Sequence, residues 1–143
     1  MARCAGQIRA RQMKPCRSDE QELLRLSQQL LDSIAAADWQ TYESLCDPDL
    51  TAFEPEALGL RVTGLPFHRF YFELAAAPGA VNSTMIEPRV QMLSADAAVI
   101  TYVRLTQRQE DSGPVSRRCE ETRVWQRRDG RWWHVHFHRS ANS

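Results

Sequence analysis

The sequence predicts an α+β fold, in which helices come first in the chain and an antiparallel sheet follows. Apolar residues recur at helical spacing in three segments before residue 74, and the pattern alternates from residue 84 onward. Two strand-like runs near the end of the chain flank Asp129-Gly130, a dipeptide typical of a tight hairpin. The length of 143 residues fits a single domain.

Residues 1–17 are predicted to be a basic, disordered tail in front of a folded domain that spans residues 18–140. The rest of the chain holds 13 basic and 18 acidic groups, because five of the 18 basic groups lie in the tail and all 18 acidic groups lie outside it. This acidic balance argues against a nucleic-acid partner. The basic groups of the tail are Arg3, Arg9, Arg11, Lys14 and Arg17.

No apolar run approaches the roughly 20 residues that a membrane-spanning helix needs, and the N-terminus lacks the apolar segment of a secretion signal. We therefore expect a cytoplasmic protein without a membrane partner. The cysteines are expected to be reduced thiols, since their spacing matches no metal site. They are Cys4, Cys16, Cys46 and Cys119.

Three helices are predicted. Ser18 begins the first, with Gln21 completing a capping box, and an apolar stripe follows that fades in the alanines at 35–37. Asp38 caps a second helix over 39–46, which Asp47-Pro48-Asp49 ends. The third spans 64–73, with Pro66 in its first turn. The stripe of the first helix comprises Leu23, Leu26, Leu30 and Ile34.

The strands are predicted to be short and separated by polar loops. A strand covers 50–53, a turn 54–59, and a loop of small residues 75–83. Residues 84–93 form a strand with a bulge or an edge at Pro88. In the next strand, 97–107, Ile100, Tyr102 and Arg104 share one face. Residues 108–118 read as a polar loop.

Two registers are open for the closing hairpin. A two-residue loop pairs Arg128 with Arg131, whereas a three-residue loop with a bulged Gly130 pairs Arg127 with Arg131. The second is preferred, because it gathers the large apolar groups on one face together with Arg123 and Arg139. It also places a row of histidines on the other face: His134, His136 and His138.

Arginines within strands are the first candidates for function. Arg104, Arg123 and Arg139 are flanked by apolar residues, and a buried guanidinium needs an anionic or carbonyl partner. Glu121 shares the preferred hairpin face with Arg123, so an internal ion pair is one interpretation. The other is a concave site for an anion, since arginine matches the geometry of a carboxylate.

Other chemistry has weaker support. The histidine row has the spacing to hold a metal, but no cysteine accompanies it, and a surface or interface row is favoured; no metal or cofactor is expected. No nucleophile elbow, nucleotide-binding loop or kinase motif occurs. A general acid–base pair formed by His68 and Glu54 is a further alternative.

Several runs together closely resemble the association (hub) domain of calcium/calmodulin-dependent protein kinase II. The resemblance covers about residues 19–140, and the runs keep the order of that domain. They are Cys46-Asp-Pro-Asp-Leu-Thr-Ala-Phe-Glu-Pro-Glu-Ala-Leu-Gly59, Phe67-His-Arg-Phe-Tyr-Phe-Glu73, Tyr102-Val-Arg-Leu-Thr-Gln107, Glu120-Glu-Thr-Arg-Val-Trp125, Arg127-Arg-Asp-Gly130 and Val135-His-Phe-His-Arg-Ser140.

The resemblance implies a cone-shaped fold of the nuclear transport factor 2-like class, with a long N-terminal helix and shorter helices packed in a curved antiparallel sheet. It also implies a non-catalytic homo-oligomer: dimers stacked into a two-layered ring, a dodecamer or tetradecamer, that carries kinase subunits. Assembly is expected to use the outer face of the sheet, including the histidine row, and the loops.

Family hubs contain a deep pocket for small carboxylates, and this resemblance assigns the matching positions Arg104, Arg123 and Arg139, with His68 at the edge. A tryptophan that follows Phe-Tyr-Phe-Glu in some members is absent here. The alternative to a hub is an enzyme or small-acid binder of the same fold, with those arginines holding the acid and His68 donating a proton.

Overall fold

The computed structural model describes residues 17–74 and 80–143 and confirms the α+β fold. Over these residues the helices are α1 (Arg17–Ala35), α2 (Trp39–Leu45) and α3 (Pro66–Leu74), with a 3₁₀ turn at Pro55–Ala57. The strands are β1 (Cys46–Phe53), β2 (Val62–Thr63), β3 (Val81–Ser94), β4 (Ala97–Glu110), β5 (Gly113–Arg128) and β6 (Arg131–Arg139). They form one sheet in the order β2-β1-β6-β5-β4-β3.

Asp38 and Pro66 begin their helices as predicted, whereas α1 begins at Arg17, so Ser18 lies inside the helix and the predicted cap at Ser18 is wrong. The side chain of Asp38 accepts a hydrogen bond of 3.1 Å from the backbone N–H of Thr41, which confirms the predicted cap of α2. Pro66 is the first residue of α3, where its missing N–H costs no helical hydrogen bond. Helix α1 buries Leu23, Leu30 and Leu31 completely, and it lies against β3 and α2.

The sheet departs from a purely antiparallel one at a single pair. β1 runs parallel to β6, and it begins at Cys46 and not at Leu50 as predicted. The bulge at Pro88 is confirmed: the β3–β4 register shifts between Ile86 and Arg89, and Glu87 has a φ of 49°. β3 begins at Val81, inside the predicted loop 75–83, of which residues 75–79 lie outside the described part.

The polar loop predicted over 108–118 is wrong. β4 and β5 stay paired as far as Glu110 and Gly113, and only Asp111 and Ser112 form the turn. The side chains of this arm are mostly solvated on both faces, so their polarity is that of an exposed hairpin. Gly113, with a φ of 115°, adopts the backbone conformation that closes it.

The preferred register of the closing hairpin is also wrong. Arg128 pairs with Arg131 across a two-residue loop, and Asp129 and Gly130 both have positive φ angles of 51° and 74°. This is the primed turn that matches the twist of the strands. A register shift follows, because Trp125 pairs with His134 but Val124 pairs with His136.

This bulge at Val135 decides which side chains of β6 face the interior. Beyond it, Arg123 faces Phe137 and Glu121 faces Arg139, so Arg123 and Arg139 share the inner face as predicted. On the turn side of the bulge, His134 is completely buried, and the predicted outer row of three histidines is therefore wrong. Only His136 and His138 remain on the outer face, beside Phe53.

None of the described helices is long and apolar enough to cross a membrane. Cys46 and Cys119 are free thiols, both buried, while Cys4 and Cys16 lie outside the described residues. The same holds for residues 1–16 of the basic tail, which stays a prediction.

Candidate functional site

The helices and the inner face of the sheet enclose a cavity of about 550 Å³. All four residues assigned from the sequence line it: Arg104, Arg123, Arg139 and His68. Strand alternation explains the arginines, because β4 turns Ile100, Tyr102 and Arg104 inward and β5 turns Glu121, Arg123 and Trp125 inward. Helix α3 supplies His68, and the bulged end of β6 supplies Arg139.

Arg123 is held in a buried network. Its Nη2 donates to Glu121 Oε2 at 2.8 Å, and its Nε donates to the Tyr102 hydroxyl at 2.7 Å. The Tyr102 hydroxyl in turn donates to Glu121 Oε2 at 2.5 Å. The guanidinium lies over the ring of Phe137, 4.7 Å from its centroid. The internal Arg–Glu pair is therefore present, and it forms part of the cavity wall.

The network sets the charge of Glu121. Burial alone would raise the pKa of this carboxyl, but the charges of Arg123 and Arg104 and the Tyr102 hydrogen bond lower it to about 2. Burial would lower the pKa of Arg123, but the charge of Glu121 raises it. Both side chains are thus ionised near neutral pH, and neither charge is left without its partner.

Arg104 has spare hydrogen-bonding capacity. Its Nη1 donates to Glu121 Oε1 at 3.1 Å, and its side chain is 13% exposed. Its buried Nε has no hydrogen-bond partner among the described residues. Because Arg104 lines the cavity and its side chain is partly exposed, the accessible part of its guanidinium is available to a ligand.

Arg139 lies in the acidic part of the cavity. Its Nη2 binds the carboxylate of Glu56 and lies 3.6 Å from Glu54 Oε2. Glu54 Oε1 lies 3.2 Å from His68 Nδ1 but makes no hydrogen bond within the described residues. The Nε2 of His68, a residue only 5% exposed, is also unpartnered there. The sequence indicates Glu54 as a candidate, but no signal in it predicts Glu56 as a partner of Arg139.

His134 contacts the guanidinium of Arg123. Its Nε2 lies 3.3 Å from Arg123 Nη1, and its Nδ1 lies 3.5 Å from Cys46 Sγ. A guanidinium only donates, so Nε2 accepts and Nδ1 carries the hydrogen. Burial and the charge of Arg123 hold the pKa of His134 well below its usual value. Burial also raises the pKa of the Cys46 thiol to about 12, so this cysteine is not a nucleophile near neutral pH.

We expect the stability of the domain to fall as the pH is lowered from 6.5 to 5, by about 1.4 kcal/mol per pH unit for this one group. Native His134 stays neutral there, whereas the unfolded chain binds the proton, so the contribution present above 6.5 is lost below it. Urea unfolding of the wild type and of His134→Gln at several pH values measures it. A slope that is the same in His134→Gln as in the wild type contradicts this assignment.

The described residues contain no group of three or more histidine, cysteine or acidic side chains placed to hold a metal ion. The cavity is instead a site of arginines, aromatic rings and glutamates. The fold around it is shared with nuclear transport factor 2-like proteins, such as a putative dehydratase from Streptomyces avermitilis (TM-score 0.71, 16% identity, covering 89% of this chain and 97% of that one). At this identity the likeness shows the fold alone.

Sequence comparison identifies the family to which the chain belongs. The calcium/calmodulin dependent protein kinase II association domain matches residues 19–143, and the chain belongs to this family. It is 48% identical over 126 residues to the type II delta subunit of that kinase from Oryctolagus cuniculus and to the type II alpha chain from Drosophila melanogaster. Each alignment covers 86% of this chain but only 24% of the relative, so the chain spans about a quarter of their length.

Solved association domains have the same structure. The hub homology domain from Chlamydamonas reinhardtii superposes with a TM-score of 0.81 at 46% identity, covering 85% of this chain and 97% of that one. The association domain from C. elegans gives a TM-score of 0.82 at 44% identity, covering 87% and 96%. The resemblance stated from the sequence is therefore confirmed.

Proposed function

We propose that this chain is a non-catalytic association domain that assembles with copies of itself into a two-layered ring of about a dozen subunits and thereby scaffolds kinase-type partners. The observation that carries the proposal is the family match over residues 19–143, together with the superposition on solved hub domains. Particle mass in solution tests it, since a monomer or a lone dimer is incompatible with a ring.

Exposed apolar side chains support self-association. Leu58 is 90% exposed and Leu60 is 74% exposed, and both lie between the 3₁₀ turn and β2, near Phe53. Helix α3 exposes Phe70, Tyr71 and Leu74. Large apolar residues that cluster on a surface mark contact sites with other proteins, so these two patches are the surfaces we expect to be covered by neighbouring copies.

We also propose that the cavity binds a small carboxylate. Arg104 offers its guanidinium, which lines the cavity, and Arg123 contributes a positive charge that Glu121 and His134 hold in place. A binding role is favoured over a catalytic one, because burial raises the pKa values of Cys46 and Tyr102 and keeps both neutral near pH 7.

Butyrate is expected to raise the melting temperature of the wild type, by the equivalent of about 1.4 kcal/mol when its concentration is about ten times Kd. In Arg104→Gln the shift should be largely lost, because the guanidinium that lines the cavity is removed together with its charge. Each variant is compared with itself without butyrate, since the substitution also breaks an ion pair with Glu121.

Arg118→Gln is the matched control for this titration. Arg118 is an exposed arginine of β5 that does not line the cavity, so its variant should respond to butyrate as the wild type does. An equal response of Arg104→Gln would remove Arg104 from the site. A wild type that no small carboxylate stabilises would reject the carboxylate pocket.

A further inference from the structure

Two further arginines line the outer part of the cavity. Arg108 lies on β4, four residues beyond Arg104, and Arg117 lies on β5. Residues four apart in a strand point to the same face and are about 13 Å apart. Thr106 lies between Arg104 and Arg108 on that face and also lines the cavity. Arg108 and Arg117 lie in the segment that is predicted as a loop from the sequence, and their place in the cavity follows only from the structure.

These outer arginines differ in their partners. Arg117 donates from Nη1 to Glu110 Oε1 at 2.5 Å, and this pair is exposed. Arg108 has no ion pair with any described residue, whereas Arg104, Arg117, Arg123 and Arg139 each have a carboxylate within 4 Å. Arg108 therefore has no close carboxylate partner, although its charge helps at longer range to lower the pKa of Glu110.

Apolar side chains also line the cavity. Ile34, Phe72 and Phe137 line the cavity together with the arginines. The volume of about 550 Å³ lies within the range of about 300–1,000 Å³ that small organic ligands occupy. A monocarboxylate with a short chain that binds at Arg104 fills only the inner part and leaves Arg108 unpaired.

We propose that the ligands preferred by this cavity are small aliphatic dicarboxylates, with one carboxylate at the guanidinium of Arg104 and the other at Arg108. The chain between the carboxylates passes the side chain of Thr106, which lies between the two arginines on β4. This inference rests on the proposed carboxylate pocket and names its ligand class. Arg108 is the residue that determines the preference, because it is the lining cation of the described residues that has no carboxylate of its own.

Titration calorimetry with matched acids tests the proposal. Glutarate is compared with valerate, and adipate with hexanoate, so that within each pair only the second carboxylate differs. We expect the dicarboxylate of at least one pair to bind about threefold to fivefold more tightly, which is the range for a partly exposed ion pair. The advantage should shrink as salt is added, since the outer contact is solvated.

Two arginine variants locate the effect. In Arg108→Gln the ratio of the two dissociation constants is expected to fall to near one, while Arg118→Gln, an exposed arginine away from the cavity, should keep the ratio of the wild type. Both side chains are exposed and lack an ion pair among the described residues, so neither substitution removes a buried contact.

The outcomes distinguish the preference for dicarboxylates from the carboxylate pocket itself. If valerate and hexanoate bind but the dicarboxylates are no tighter, the preference for a second carboxylate is wrong and the carboxylate pocket stands. If Arg108→Gln retains the full advantage of the dicarboxylate, Arg108 does not hold the second carboxylate and the inference fails. If none of the four acids binds, the proposed pocket itself is rejected.

Discussion

Glu121→Gln is expected to lower the free energy of unfolding by about 3–5 kcal/mol, the largest loss of stability among the substitutions considered. The Glu121 carboxylate is completely buried and is shared by Arg123, Arg104 and Tyr102. Without its charge, the guanidinium of Arg123 is left buried and uncompensated, with a side chain that is 1% exposed. The amide of glutamine keeps an acceptor but cannot balance that charge.

Chemical unfolding at pH 7 measures this loss, and Glu120→Gln is the matched control. Glu120 is the preceding residue of β5 and points to solvent, where Ser140 donates to it. The control should change stability by less than about 1 kcal/mol. If Glu121→Gln is as stable as Glu120→Gln, the buried network does not hold the cavity wall together.

The contribution of the Glu121 carboxylate to stability depends on pH over a defined range. Its folded pKa of about 2 lies below the ordinary value of 4.5. Its contribution is therefore fully present above pH 4.5 and is lost as the pH falls from there towards 2. This pH range lies below the range in which His134 changes the stability of the domain. The contributions of the two groups can therefore be measured separately in an acid titration.

The double substitution Leu58→Asp and Leu60→Asp is expected to reduce the particle mass severalfold, to that of a monomer or a small oligomer. Fully burying a leucine contributes about 1.5–3 kcal/mol, and a charged group in its place must be desolvated at every copy of the interface. Leu58 has a φ of 55°, a conformation that aspartate adopts more readily than leucine, so the backbone is not strained by the change.

Sedimentation velocity at one fixed protein concentration measures the effect. Leu93→Asp is the control, because Leu93 is a 60% exposed leucine in β3, outside both apolar patches. It should keep the mass of the wild type. A double variant that retains the full mass would show that Leu58 and Leu60 do not lie between copies, and the apolar patch on α3 would then be the next surface to substitute.

Local signals in the sequence were sufficient for the helices. The cap at Asp38, the first-turn Pro66 and the bulge at Pro88 each depend on the conformational limits of one residue type, and all three are present. Strand alternation predicted in part that Arg104, Arg123 and Arg139 line a common cavity. The assignment of His68 to it came from the family resemblance, because nothing in its neighbouring residues indicates where α3 packs.

Features that depend on contacts between distant parts of the chain could not be predicted in this way. The bulge at Val135 carries no glycine or proline, and it lies beside the parallel pairing of β6 with β1, which joins residues far apart in sequence. Since this bulge decides which face His134 occupies, the prediction of an outer face is wrong for His134, whereas His136 and His138 do lie there. The extended β4–β5 arm was missed because solvated strands and loops have similar compositions.

Particle mass in solution tests the proposed self-association most directly. Light scattering or mass photometry of the wild type at low micromolar concentration should give a single large species, at about 200 kDa for a dozen copies of the 16.4 kDa chain. A ring with a few more copies gives a proportionally larger mass. A particle that stays at the mass of a monomer or a dimer under these conditions would contradict the ring assembly.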